Sequence, residues 1–159
     1  MCTLNINFMS SIVILAHNIR SIWNIGTLFR TGDAFGVDHI HLTGYTAQPP
    51  RKEISKTALG AEEWIPWSYT KDPLEAVEKR RSEGFLIVAL EKNDRSIAIN
   101  TLNSDKPICL IIGHEILGVN DELLNASDTV VHIAMQGKKE SLNVAVATGI
   151  ALYALRHAR

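Results

Sequence analysis

NIRSIWNIGTLFRTGDAFG, residues 18–36, decides how the chain is read. It follows the apolar run SIVILA (11–16), which reads as a buried strand. A helix is predicted from about Asn24, whose side chain suits an N-cap, to Phe35, with Gly36 as its C-terminal stop. On that helix Ile25, Leu28, Phe29, Gly32 and Phe35 form one apolar stripe. Arg30 falls nearly opposite, one turn after Gly26 and one turn before Asp33. Periodicity alone leaves two readings of Arg30: a solvated side chain paired with Asp33, or a group presented to something that approaches over Gly26.

The same alternation continues outward. HIHLTG (39–44), FLIVALE (85–91), PICLIIGHE (107–115) and TVVHIAM (129–135) read as strands. EISKTALGAEEWIPW (53–67) reads as a turn of helix, a glycine break and the start of a strand. Asp72 and Pro73 open a helix that closes at Gly84, and NDELLNA gives a short one. A last helix is predicted from Ser141. Helices alternating with strands that are apolar on both faces indicate an α/β fold, a mostly parallel sheet covered by helices on both sides. The last helix is apolar on nearly every side from Val144 to Leu155, so it needs burial all round, and a homodimer interface is expected there.

At 159 residues, the chain is expected to be a single domain over 1–159. Net charge is −1, so nucleic-acid binding would rest on a local cluster. Between Asn18 and Lys56, Arg20, Arg30, Arg51, Lys52 and Lys56 outnumber Asp33, Asp38 and Glu53. The apolar runs are too short to span a bilayer, the N-terminus lacks the pattern of a signal peptide, and Cys2 and Cys109 lie far apart. No membrane association, no disulfide and a cytoplasmic location are expected. The six histidines show no metal-ligand spacing, and no metal is expected; His39 and His41 share a strand face as structural residues. Neither a dinucleotide fingerprint, a P-loop nor a hydrolase nucleophile elbow occurs.

Two further stretches could hold chemistry. In IIGHEILGV a strand ends at Gly113 and is followed by Glu115 and Gly118. Ligands bind at the carboxyl ends of strands in such sheets, though an ordinary turn would look the same. In IAMQGKKESLNVAVATG a loop with Gly137, Lys138, Lys139 and Glu140 precedes Ser141, Leu142 and Asn143. It serves equally as a helix cap or as a ligand loop.

In this order, NIGTLFRTGDAFGV, IIGHEILGV and IAMQGKKESLNVAVATGIALY resemble the three motifs of the SpoU/TrmH family of RNA 2′-O-ribose methyltransferases, of the SPOUT class, over residues 11–157. The resemblance implies a C-terminal trefoil knot, a homodimer and S-adenosylmethionine as methyl donor. It places the cofactor among Leu90, Gly113, Ile133, Met135, Ser141 and Leu142, and matches Asn24, Arg30, Glu115, Ser141 and Asn143 to the family's conserved polar positions. Ala134 stands where the family usually has proline, and, unlike many members of the family, the chain is expected to have no separate RNA-binding domain. The substrate implied is RNA, tRNA or rRNA, gripped by Arg20, Arg30, Arg51, Lys52, Lys56, Lys138 and Lys139.

The implied reaction needs a ribose 2′-OH held in line with an activated methyl. A guanidinium such as that of Arg30 holds its proton too tightly to be a base; it suits a grip on phosphate and stabilisation of a developing alkoxide. Asn24, Ser141 and Asn143 would shape the pocket, and Glu115 would orient its loop or Arg30. Two other readings are a non-catalytic RNA- or partner-binding domain that keeps the fold, and an enzyme that methylates a base.

Overall fold

The computed structural model describes residues 11–157, so the readings of the N-terminus and of Cys2 fall outside the described residues. Seven strands form one sheet: β1 (Ile12–His17), β2 (His39–Thr43), β3 (Trp67–Thr70), β4 (Leu86–Leu90), β5 (Ile97–Ala98), β6 (Ile108–Ile112) and β7 (Thr129–His132). Their spatial order is β3-β2-β1-β6-β4-β7-β5, and every neighbouring pair is parallel.

The two-residue period of β1 explains its unbroken apolar sequence. Ile12, Ile14 and Ala16 point to one layer, with α1 (Ile22–Ala34), α2 (Lys52–Ala58) and α6 (Val144–His157). Val13 and Leu15 point to the other, against α4 (Pro73–Ser82) and α5 (Asp121–Ala126). Ile14, Leu15, Leu28, Phe29, Leu110 and Leu152 are fully buried, each contributing ~1.5–3 kcal/mol through burial.

Four local expectations are corrected. Helix α1 starts at Ile22, with Ser21 as its N-cap; the Ser21 side chain accepts from the Asn24 N–H, and Asn24 sits inside the first turn. The earlier start lets Ile22 pack against the core. Gly26 faces α2 and leaves no room for an incoming ligand: an added Cβ would lie 2.0 Å from Thr57 Oγ1 and 2.3 Å from the Ile54 carbonyl oxygen. The segment 53–67 holds two helices, α2 and α3 (Ala61–Trp64), because Gly60 turns the chain into a second N-terminus. Helix α6 starts at Val144, where Asn143 Oδ1 accepts from the N–H groups of Ala145 (2.9 Å) and Val146 (3.3 Å). Its burial is one-sided within the chain: Ala145, Thr148, Ala151 and Leu152 are buried, whereas Val146, Ile150 and Tyr153 remain 52%, 41% and 58% exposed.

Candidate functional site

The strand order reverses between β1 and β6, since β2 and β3 lie to one side of β1 and the later strands to the other. A crevice forms outside the carboxyl ends of strands at such a reversal. Three segments distant in sequence meet there. Glu115, from the loop after β6, accepts from the Ser21 N–H (2.8 Å) and Asn24 Nδ2 (3.0 Å) on Oε1, and from the Arg20 N–H (2.9 Å) on Oε2. Asn143 Nδ2 donates to Asn24 Oδ1 at 3.2 Å. The amide orientations follow from the network. Asn143 Oδ1 already accepts two backbone N–H groups, so its Nδ2 faces Asn24, whose own Nδ2 is left for the carboxylate.

Partial burial alone would raise the Glu115 pKa, but the donors from Ser21, Arg20 and Asn24 outweigh it and hold the carboxyl below its ordinary value. Glu115 is therefore an anionic clamp on the entry to α1. Both its oxygens are engaged by residues 20–24, so it orients that corner and makes no hydrogen bond to Arg30. Gly113 is needed by the loop itself: an added Cβ would meet the Gly118 carbonyl oxygen at 2.3 Å.

A cleft of about 100 Å³ lies beside this network, lined by Leu90, Ile133, Met135, Ser141 and Leu142 among others. These are five of the six residues assigned to a cofactor from the sequence; Gly113 does not line it. The volume is below the ~300–1,000 Å³ of most small-molecule sites. Its outer wall, Glu140, Ser141 and Leu142, is exposed irregular chain. The cleft adds Glu91, Lys92 and His132, which the sequence reading missed. Glu91 Oε2 accepts from the Val119 N–H at 2.9 Å, tying β4 to the loop after β6. Its position just beyond the apolar run FLIVAL was the available signal.

Arg30 is exposed on α1 and makes no hydrogen bond or ion pair with the described residues. Asp33, its expected partner, accepts instead from Trp64 Nε1 at 2.7 Å. Arg30 lies six positions after Asn24, ~9 Å along the axis and about 120° around it, so the two do not share one helix face. The other basic residues divide into groups. Arg51, Lys52 and Lys56 line an open basin of about 550 Å³. Arg20 and Arg51 line a recess of about 420 Å³ at the ends of β1–β3. Lys138 and Lys139 lie in the exposed stretch before Ser141. His39 and His41 are held in a strand-to-helix network: both rings hydrogen-bond Ser68 Oγ, and Arg80 Nε donates to His41 Nε2 at 2.9 Å.

A doubly covered parallel sheet, with a polar network at its topological switch and a cleft at the neighbouring ends of β4 and β7, defines an α/β domain of the kind that binds ligands at its carboxyl edge. The chain belongs to the SpoU rRNA methylase family, whose sequence model matches residues 11–153. It is 31% identical over 149 residues to the tRNA (guanosine(18)-2′-O)-methyltransferase of Aquifex aeolicus, covering 93% of this chain and 70% of that protein. The AdoMet-bound rRNA methyltransferase from Sinorhizobium meliloti superposes with a TM-score of 0.86 at 30% identity, over 92% of this chain and 56% of that one. The A. aeolicus TrmH/SpoU tRNA modifying enzyme gives a TM-score of 0.84 at 29% identity, over 94% of this chain and 76% of that one. Several relatives are thus longer: this chain spans 60% and 58% of the Borreliella burgdorferi and Escherichia coli K12 tRNA (guanosine(18)-2′-O)-methyltransferases.

Proposed function

We propose that the protein methylates a ribose 2′-OH in RNA, tRNA or rRNA, with S-adenosylmethionine as donor. The observation that carries this reading is the junction of all three motif segments, through Glu115, Asn24 and Asn143, beside the cleft of Leu90, Ile133, Met135, Ser141 and Leu142. The cleft's chemistry fits the cofactor. Leu90, Ile133, Met135 and Leu142 offer apolar walls to an adenine ring, and the exposed stretch at Glu140–Leu142 can yield to admit the rest. When bound, the cofactor supplies a methyl group already activated for transfer.

The chain's own residues do the rest. Asn24 and Asn143 fix the relation of α1 to α6, so the acceptor nucleotide meets a preset surface. Ser141, which lines the cleft, would hydrogen-bond the acceptor or the cofactor. Arg30 grips a phosphate beside the target ribose and stabilises the alkoxide as the hydroxyl proton leaves to phosphate or water. Within one chain Arg30 stands apart from Asn24, so its role is best met at a subunit boundary. A homodimer built on the exposed face of α6 is part of this proposal. The groove between α1 and α6, lined by Thr27, Thr31, Phe35, Val146, Ile150 and Tyr153, supports it. A trefoil knot in the C-terminal segment and a cytoplasmic location are likewise proposed from the family; no helix of the described residues is long and apolar enough to cross a membrane.

The test compares wild type with Arg30→Ala. Calorimetry with S-adenosylmethionine should give equal affinities, while transfer of labelled methyl to RNA from a strain lacking the gene falls at least 100-fold, the order expected for losing a charge-stabilising donor. Arg30→Ala turning over at the wild-type rate would remove the arginine from the mechanism. Wild type that binds cofactor tightly yet labels no RNA would favour the non-catalytic reading.

A further inference from the structure

At the carboxyl ends of β1, β2 and β3, on the far side of the Glu115 network from the cofactor cleft, lies the recess of about 420 Å³. Arg20, Tyr45, Thr46, Gln48, Arg51 and Tyr69 form its walls, and no lining residue is acidic. It is built in advance of any ligand. Asn18, in the left-handed region at φ 55, accepts the Tyr45 N–H on its Oδ1 at 3.1 Å. Thr46, 3% exposed, accepts the Ile19 N–H at 3.0 Å, and Tyr69 Oη donates to the Gly44 carbonyl at 2.7 Å. The first two bonds lock the loop after β2 onto the loop after β1, and the third ties it to β3.

Within this frame Tyr45 is left 60% exposed. Its ring stands edge-on to His114, with centroids 6.4 Å apart, on the loop that carries Glu115. Arg20 contributes to the recess while its own N–H binds Glu115 Oε2. An exposed aromatic ring that lines one recess together with two arginines and a glutamine is suited to a base, a phosphate and a base edge at once. The volume falls in the range that encloses one small ligand.

We propose that this recess holds a nucleotide neighbouring the methylated one, with its phosphate between Arg20 and Arg51 and its base against Tyr45. The proposal rests on the RNA methylation reading and deepens it. It makes Tyr45 a substrate-binding residue and gives Arg20 and Arg51 one shared ligand, in place of scattered surface charge. Because Arg20 also anchors Glu115, filling the recess is mechanically continuous with the corner that carries Asn24.

Two measurements test it. In steady-state methylation of total RNA from a strain lacking the gene, Tyr45→Ala should raise KM for RNA about 5- to 160-fold, the range of aromatic–base stacking, with a much smaller change in kcat or in KM for S-adenosylmethionine. Tyr45→Phe and Tyr45→Trp should restore it, which a purely structural role for the hydroxyl would not allow. Arg20→Ala with Arg51→Ala should lower the salt slope of RNA binding by ~1. Independently of turnover, amide NMR spectra are recorded with each nucleoside 5′-monophosphate and with inorganic phosphate. The monophosphates should shift residues 44–48 beyond the effect of phosphate alone. Equal shifts from phosphate and monophosphates, or a wild-type KM in Tyr45→Ala, would overturn the subsite. Monophosphate binding at 44–48 in a protein that methylates no RNA would support the subsite and reject the reaction.

Discussion

Replacing Glu115 by Gln tests the clamp that joins the loop after β6 to the start of α1. The carboxylate accepts three hydrogen bonds, from Ser21 N–H, Arg20 N–H and Asn24 Nδ2, at 2.8, 2.9 and 3.0 Å. Bonds to a charged group contribute ~1.5–3 kcal/mol each, and the low end applies at a partly exposed position. Gln keeps the shape but has one acceptor oxygen. If that oxygen serves Ser21 and Asn24, the bonds become neutral ones of ~1 kcal/mol each, and the Gln amide confronts the Arg20 N–H, donor against donor. The expected loss is about 2–3 kcal/mol, read by urea denaturation, or about 5–10 °C in Tm for a chain of this size. The effect carries its own pH signature. The folded pKa of Glu115 lies below its ordinary 4.5, so its stabilisation is complete above 4.5 and disappears as pH falls through the folded value. The gap between wild type and Glu115→Gln should therefore be widest near pH 6–7 and shrink below about 4.5. A Gln variant within ~0.5 kcal/mol of wild type at neutral pH, the scale of an ordinary surface substitution, would refute the clamp. So would a gap that does not change with pH.

Gly26→Ala gains ~1 kcal/mol of helix propensity but drives a Cβ to within 2.3 Å of the Ile54 carbonyl oxygen, which cannot swing aside. Net destabilisation of about 1–2 kcal/mol is expected in urea, and a more stable variant would contradict the close α1–α2 contact. Burial first, then neighbouring positive charge, lowers His39 to about 4 and His41 to about 3. Their imidazole resonances should stay neutral to pH 5, while the unfolded chain takes up protons from its ordinary 6.5, so stability declines as pH falls below that value; NMR midpoints near 6.5 would overturn the packing around Ser68. Burial pushes the Cys109 thiol up to about 12. Iodoacetamide at pH 8 should modify it only through unfolding, and peptide mapping that finds rapid native alkylation would show the strand to be open.

The architecture was legible because the two-sided burial of β1, β4 and β6 writes itself as SIVILA, FLIVALE and PICLIIGHE, with Asp72 and Pro73 marking the start of α4 between them. Local competition decided the misses. Ser21 and Asn24 are both good caps, and the burial of Ile22 selected Ser21, which freed Asn24 for Glu115. The two-residue β5 is too short to show a period and exists only through its pairing with β7. Of the candidate site, the third motif segment carries six of the ten residues that line the cleft, because it starts at the end of β7 on the carboxyl edge of the sheet, whereas the first two segments contribute none. Sequence could not show that Gly26 and Gly113 answer to their own backbone neighbours, since those contacts arise from tertiary approach. Nor could it single out Tyr45, whose exposure is set by bonds from Asn18 and Thr46 across two loops.

The central claim is the atom that receives the methyl group, and the product decides it. RNA from a strain lacking the gene is incubated with the protein and methyl-labelled S-adenosylmethionine, hydrolysed in alkali, and the labelled products are separated by length. Ribose 2′-O-methylation removes the hydroxyl that attacks the adjacent phosphate, so the label should be found in alkali-resistant dinucleotides. Label in mononucleotides, with the methyl group on a base, would contradict it.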